Sequence, residues 1–330
     1  MGVDFRDGSE KMIRALAITG PTASGKTALS LSLAEELRCE IISADSMQIY
    51  RGMDIGTAKA TAEERARVRH HLIDIISPRD SYSTEEYRRD AMAAARSISL
   101  AGKTPLFVGG TGLYIDTLTR AEVAEVPGAD KDFRDKMTAL YEKEGAHAVW
   151  ERLLSVDPES AAAIHENNTK RVVRALEIYE LTGRPKSYFD RLSRERAADI
   201  SVGMITLDFH NRDLLYGRVD TRVMKMCEDG LIEECRALYE TGMLDGKSTA
   251  SQAIGYKEII GYIRGEKTLD EALDDLKLAS RRYAKRQLTW FRHNTLAKRL
   301  FVDTEDGVMK DMDELLCEAR VFAEELLSEK

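Results

Sequence analysis

The chain has 330 residues, 43% hydrophobic and 32% charged, a soluble globular composition that excludes a disordered, collagen-like or small disulfide-stapled protein. At about 150 residues per domain, this length suits roughly two domains, or one core with a large insertion. Basic and acidic residues number 49 and 57, a formal net charge of −8, which by itself argues weakly against a nucleic-acid partner. Net charge hides local distribution, and residues 276–302 hold eight basic side chains and no acidic one. No apolar run approaches the roughly 18 residues of a membrane span. The opening MGVDFRDGSEKMIR has no signal-peptide stretch, and Arg6 breaks the myristoylation pattern. Cys39, Cys227, Cys235 and Cys317 form no CxxC pair and no disulfide framework. The expectation is a cytoplasmic protein in a reducing compartment, with no membrane partner.

Strands and helices alternate through the first third. Residues 13–19 (IRALAIT) predict a strand running into a Gly-rich turn, and 27–37 a helix. Residues 40–44 (EIISA) predict a second strand ending at Asp45, and 71–76 (HLIDII) a third. A helix follows over 83–100, opened by a Ser83–Glu86 capping box. Residues 105–108 (PLFV) form a strand that ends at Gly109-Gly110-Thr111-Gly112. Such alternation indicates βαβ units and a parallel sheet. From about 126 to 196 the chain is rich in Ala, Glu and Arg, with helical periodicity and no clear strand. Residues 203–209 (GMITLDF) return to the sheet. Helices are then expected over 212–228, 231–240, 253–264, 269–297 and 310–328. No internal repeat or low-complexity segment is present.

Gly20-Pro21-Thr22-Ala23-Ser24-Gly25-Lys26-Thr27 matches G-x4-G-K-[ST], between a predicted strand and a predicted helix, the context that motif requires. Its glycines let successive N–H groups turn toward phosphate oxygens, and the helix adds its positive end. Lys26 supplies a point charge, and Thr27 a hydroxyl for Mg²⁺. The motif specifies a polyphosphate, without saying which or naming an acceptor. The fold class is therefore α/β: a P-loop NTPase-like core with a mostly parallel sheet flanked by helices, a mostly helical insertion and a helical C-terminal region. The expected limits are 1–125 for the first part of the core, 126–198 for the insertion, and 199–330 for the return strand and C-terminal helices.

An acid at a neighbouring strand end should accompany the loop. Asp45, Asp74 and Asp208 qualify. Asp45 is best placed, because ligand sites of open α/β sheets lie at the strands' carboxyl edge. It could hold Mg²⁺ through water, act as a base, or cap the next helix; Asp74 and Asp208 read mainly as structural. Gln48 suits an adenine edge and Tyr50 can stack, although a helix start with a packed tyrosine fits equally. His70 and His71, adjacent in sequence, read as structural. The absence of N-K-x-D counts against a GTPase.

Several segments together carry a resemblance. They are GPTASGKT, SADSMQIYRGMDIGTAK (43–59), HHLIDI, PLFVGGTGLY (105–114), KRVVRALEIYELTG (170–183), QAIGYKE (252–258) and RRYAKRQLTWFR (281–292). In this order they closely resemble the tRNA dimethylallyltransferases, over roughly residues 13–300. The resemblance implies transfer of a dimethylallyl group from dimethylallyl diphosphate to N6 of the adenosine immediately 3′ of the anticodon. The tRNAs would be those reading codons that begin with U, and diphosphate is released. The P-loop would then hold the prenyl diphosphate with Mg²⁺ on Thr27, Arg222 would add a guanidinium, Asp45 would be the general base, and Thr111 would lie beside the reaction channel.

The resemblance also implies anticodon-loop contacts from Asp45, Ser46, Met47 and Gln48, from Lys170, Arg171, Val172, Val173 and Arg174, and from Gln252, Ala253, Ile254, Gly255, Tyr256 and Lys257. Arg134 matches a family position near the substrate, and the insertion would be tRNA-binding. Arg281, Arg282, Lys285 and Arg286, interleaved with Tyr283, Trp290 and Phe291, suit phosphates and stacked bases, or equally an amphipathic helix with aromatic core contacts. Past Thr304 only Cys317 and no His occur, which excludes a zinc finger there and fits the bacterial form, expected as a monomer. The competing readings are an adenylate (free-nucleotide) dimethylallyltransferase, a P-loop small-molecule kinase, and a non-catalytic RNA-binding protein.

Overall fold

A short apolar run ending in a Gly-rich turn belongs at the centre of a parallel sheet, and the first such run takes that place. The computed structural model describes residues 12–119, 128, 130–195, 199–246, 248–295 and 297–328. In chain order, β1 (Ile13–Thr19), α1 (Lys26–Glu36), β2 (Cys39–Ser43), α2 (Ala62–Arg67), β3 (His70–His71), α3 (Thr84–Leu100), β4 (Thr104–Gly109) and α4 (Gly112–Thr119) come first. Next are α5 (Lys131–Val156), α6 (Pro158–Ala163), α7 (Thr169–Thr182) and α8 (Lys186–Glu195). The chain finishes with β5 (Ile200–Asp208), α9 (Arg212–Glu228), α10 (Leu231–Glu240), α11 (Tyr256–Ile263), α12 (Leu269–Arg292), β6 (Lys298–Phe301) and α13 (Met312–Ser328).

The strands form one sheet in the order β3-β2-β4-β1-β5-β6. Every pairing is parallel. Thr19 lies beside Gly109 of β4 and Thr206 of β5, so β1 and β4 end together while β5 runs on to Asp208. The period-2 alternation of β1 divides its side chains between two cores. Leu16 and Ile18 pack with Leu29, Leu33, Leu207 and Leu288 on one face. Ala15 and Ala17 pack with Ile42, Tyr87, Phe107 and Ile115 on the other. A third cluster buries Tyr50, Met53, Leu231, Tyr256 and Leu276. The Ser83–Glu86 capping box opens α3 as expected.

Three expectations need correction. The third strand stops at His71, because Leu72 and Asp74 adopt left-handed φ values of 60° and 59°. Asp74 is turned into ion pairs with Lys59 at 2.6 Å and Arg65 at 2.8 Å. The helix expected over 269–297 ends at Arg292, and the chain then adds β6 at the sheet edge. Its sequence KRLF is too short and too charged to announce a strand. The helix expected from 253 begins at Tyr256, where Gly255 at φ 101° interrupts it after a 3-10 turn.

The chain divides into two compact units, Met1–Thr119 with Ile200–Lys330, and Arg120–Asp199. The limits expected at 126 and 198 lie outside the described residues. The second unit is helical throughout its described part and packs Met137, Val149, Leu153, Val172 and Ala175 in its own core. At its centre Glu177, fully buried, accepts two hydrogen bonds from the Arg134 guanidinium at 2.7 and 2.9 Å, one from Arg174 at 2.6 Å and one from the Asp130 N–H at 2.8 Å. Burial alone would raise the Glu177 carboxyl; these donors outweigh it and hold the group below its usual range.

A carboxyl depressed in the folded state contributes stability above its unfolded pKa, which is lost as pH falls through the folded value. Glu177→Gln should therefore cost about 1.5–3 kcal/mol near neutrality. That difference should shrink steadily as urea unfolding is repeated at pH values through and below the carboxylate range. A difference that stays constant over that range would show that the charge on Glu177 contributes nothing.

Candidate active site

The carboxyl edge of the sheet collects the loops that follow β1, β2, β4 and β5. After β1, Gly20 takes φ 135°, and a β-carbon there would lie 2.7 Å from the Leu207 carbonyl oxygen of β5. Only glycine turns the chain at that spot. Ala23 is also left-handed, at φ 63°, and its carbonyl accepts a hydrogen bond from Arg218 Nε of α9 at 2.8 Å. Gly25, at φ 94°, caps α1, which brings Lys26 and Thr27 into the helix's first turn. Lys26 Nζ donates to the carbonyls of Gly20 and Pro21 at 3.1 and 2.6 Å. The Ser24 hydroxyl is buried without a hydrogen-bond partner. Thr27 is exposed.

Asp45 follows β2, and its Oδ1 accepts the Met47 N–H at 2.9 Å. Thr111, after β4, is tied to the same turn: its N–H donates to Ala44 O at 3.1 Å, and its Oγ1 accepts the Ser46 N–H at 3.0 Å. Arg222 arrives on α9. Lys26, Arg222 and Asp45 lie close enough to act on one another's charge. Burial, with Arg222 adding to it against the opposing pull of Asp45, lowers Lys26 to about 7. Burial also lowers Arg222, while Asp45 holds it up. These three residues, the P-loop, Gly109, Gly110 and Tyr283 line one cleft of about 1860 Å³. Ordinary ligand pockets measure roughly 300–1,000 Å³, so two substrates fit.

A third element closes the cleft wall. Gln287 of α12, 5% exposed, accepts the Thr22 N–H through Oε1 at 2.8 Å and donates from Nε2 to Gly110 O at 3.0 Å. The Tyr283 hydroxyl lies beside Thr111 and Gln287, and burial above all raises its pKa, so it stays a neutral phenol. Neither Gln287 nor Arg218 stood out in the sequence. The glutamine falls inside the RRYAKRQLTWFR segment without a role of its own there, and an arginine one turn before another carries no motif. Only the spacing of Tyr283 and Gln287, one helical turn apart, hints at a shared face.

The other expected site residues divide by exposure. Arg282, Lys285 and Arg286 are exposed on α12, with Arg286 over the Tyr283 ring at 5.6 Å. Arg281 pairs with Asp220 at 3.1 Å. Trp290 is 38% exposed and Phe291 is buried. Gln252 and Lys257 are exposed and Ile254 is half-buried, whereas Ala253, Gly255 and Tyr256 are buried, with the Tyr256 hydroxyl donating to Glu234 at 2.6 Å. In the helical unit Lys170 and Arg171 are exposed, Val173 is half-buried, and Val172 is fully buried. Arg134 and Arg174 are engaged with Glu177. The side chains of Val172, Ala253 and Tyr256 are thus core residues that present no surface to RNA.

Of the two side chains considered for the adenine, Gln48 lines the cleft with its amide bonded within the chain, whereas Tyr50 is packed in the third core cluster and has no face free to stack. Gln48 accepts from Ser43 Oγ at 2.9 Å and donates to Thr57 O and Ala58 O at 3.4 and 3.3 Å. Tyr50 is 1% exposed, and the segment is a turn, not a helix start. Asp208, fully buried, is held by Arg292 at 2.6 and 3.0 Å, and Asp74 by Lys59 and Arg65. Of the three candidate acids, Asp45 alone has no basic side chain bonded to it and faces Lys26 and Arg222.

The IPP transferase family model matches residues 48–294, and an isopentenyl transferase model matches residues 13–79. A tRNA dimethylallyltransferase of a Thermoanaerobacter species is 45% identical over 88% of this chain and 92% of its own length. One from Halalkalibacterium halodurans is 45% identical over 96% and 98%. The full-length tRNA isopentenylpyrophosphate transferase of Bacillus halodurans superposes with a TM-score of 0.69 at 43% identity, covering 96% of this chain and 97% of that one. A eukaryotic dimethylallyltransferase acting on tRNA superposes at 0.76 with 26% identity, covering 93% and 85%. With its phosphate loop, its acid and its fold all in place, this chain belongs to the IPP transferase family, among the tRNA dimethylallyltransferases.

Proposed function

We propose that this chain moves a dimethylallyl group from dimethylallyl diphosphate to N6 of the adenosine 3′ of the anticodon in tRNAs reading codons that begin with U. The observation that carries this reading is the placement of a carboxylate without a bonded cation, Asp45, opposite Lys26 and Arg222 in one cleft. The curated relatives support this reading over a kinase or GTPase, being tRNA dimethylallyltransferases.

The chemistry divides between the two ends of the cleft. The adenine N6 lone pair is delocalised into the ring, so the amino group is a poor nucleophile. N6 attacks C1 of the dimethylallyl group, and the C1–O bond breaks with its electron pair leaving on diphosphate. The N6 proton passes to Asp45 as the C–N bond forms. The loop amides, Lys26 and Arg222 stabilise the charge developing on the diphosphate; the guanidinium fork can bind two oxygens at once. The Ser24 hydroxyl, buried without a partner, is a further donor for a phosphate oxygen. Thr111, stitched to Ser46, fixes the turn that carries Asp45. Extruding a base from a single-stranded anticodon loop costs a few kcal/mol at most, and the exposed cations of α12 supply phosphate contacts to offset it.

Among the described residues no group of three or more His, Cys, Asp or Glu could hold a metal. Mg²⁺ needs no such cage, because it keeps waters and leans on substrate phosphates. The exposed Thr27 hydroxyl and the diphosphate oxygens would hold it, where it supplies further charge neutralisation. No helix among the described residues is long and apolar enough to cross a membrane. We take the protein as a cytoplasmic monomer.

Two measurements test this reading. Asp45→Ala should lower turnover of an anticodon stem-loop by roughly 10²–10⁴ with RNA binding kept; near-normal turnover by a folded variant removes Asp45 from the chemistry. Lys26, near 7 in the free protein, is mostly neutral at pH 8, and a bound diphosphate favours its protonated form. Calorimetry in buffers of different ionisation enthalpy should then show uptake of about one proton per dimethylallyl diphosphate bound, and affinity falling as pH rises above 7. Lys26→Arg, charged throughout, should show no uptake from this group; identical uptake in both proteins would assign the proton elsewhere.

A further inference from the structure

We infer that Gln287 is a positioning residue that locks the diphosphate loop to the turn carrying Thr111. This inference rests on the prenyl-transfer reading and extends it to a residue outside the phosphate loop and the acid. Three observations converge on it. The amide is 5% exposed, so its bonds are not exchanged for water. It uses both ends of its polarity: Oε1 accepts from the Thr22 N–H at 2.8 Å, and Nε2 donates to Gly110 O at 3.0 Å. The turn is shaped to receive it, because a β-carbon on Gly110 would lie 2.0 Å from Nε2.

The chemistry explains why an amide is needed. Thr22 N–H is a donor and Gly110 O an acceptor, so the bridge must accept at one end and donate at the other. Among side chains of this length only a primary amide or a protonated carboxyl does both. A carboxylate would place charge against Gly110 O, and an apolar side chain would leave both backbone groups unpaired. The bridge spans the loops after β1 and β4, while Thr111 binds the turn after β2. Through it the distance between the donor diphosphate and Asp45 is set from α12, the helix whose outer face bears Arg282, Lys285 and Arg286.

The test uses two variants of the full chain. Gln287→Met keeps the volume and removes both bonds. It should raise the KM for dimethylallyl diphosphate roughly tenfold or more, with the KM for the stem-loop nearly unchanged and the melting temperature lowered by no more than the two unpaired backbone groups account for. Gln287→Glu gives a sharper readout, the ratio of variant to parent donor kcat/KM measured from pH 8.5 down to 5.5. Lys26, Arg222, Asp45 and Tyr283 face the same cleft in both proteins, and the ratio removes the part of the pH dependence that the two proteins share. The ratio should be low at pH 8.5 and climb toward one on acidification, as the introduced carboxyl gains the proton it needs to donate to Gly110 O. A flat ratio overturns the proposal, as does a loss shared equally by both substrates in step with the melting temperature. Inorganic diphosphate affinity, followed over the same pH range, should show the same recovery. If the parent protein transfers no prenyl group, the functional reading fails, and the diphosphate affinities still decide the role of Gln287.

Discussion

Backbone segments at the carboxyl edge of this sheet pass closer than a β-carbon permits, and the reactive groups depend on that approach. A β-carbon on Gly109 would sit 2.1 Å from Ala44 O, one on Gly110 2.0 Å from Gln287, and one on Gly20 2.7 Å from Leu207 O. With those side chains missing, the loops after β1, β2 and β4 touch, and Thr111 and Gln287 bond them together. Three strands that end in register thus hold a phosphate loop, an acid and a threonine in one wall without a mobile loop between them. Sites held on rigid elements keep the geometry that positional catalysis requires.

Charge is arranged around that wall with a deliberate imbalance. Asp45 faces two cations, Lys26 and Arg222, and their burial makes both costly to keep charged without an anion. A diphosphate relieves that cost and draws on it: the desolvated cations interact most strongly with the leaving group as its charge develops. The other two candidate acids are held in ion pairs, although Asp74 also lines the cleft. Asp208 is locked by Arg292, and Asp74 by Lys59 and Arg65. Fixing those two carboxylates in structural pairs leaves Asp45, of the three candidate acids, to take a proton.

The sequence reveals features carried by local pattern and hides those made by tertiary contact. The strand–GPTASGKT–helix unit is legible because glycine spacing and alternation are both local, and Asp45 follows from its place at a strand end. Arg222 enters only by resemblance, since one arginine on a polar helix looks like any other. Gln287 lies in a segment that the resemblance marks, but its role is hidden there because its partners lie 265 and 177 residues away. The left-handed φ values at Leu72 and Asp74 break the third strand, and Asp74 pairs there with Lys59 and Arg65, none of which a strand pattern encodes. Tyr50 looks free to stack on a base, and Tyr256 falls in a segment expected to contact the loop, until the fold buries both in one cluster.

The central claim is that one cleft places a prenyl diphosphate on the loop and an adenine amino group on Asp45. A crystal structure with a thio-analogue of dimethylallyl diphosphate and an anticodon stem-loop tests it most directly. The account predicts diphosphate oxygens within hydrogen-bonding distance of Lys26, Arg222 and the loop amides, and N6 of the extruded adenine bonded to Asp45. A diphosphate bound away from the loop, or an adenine whose N6 lies out of reach of Asp45, would contradict it.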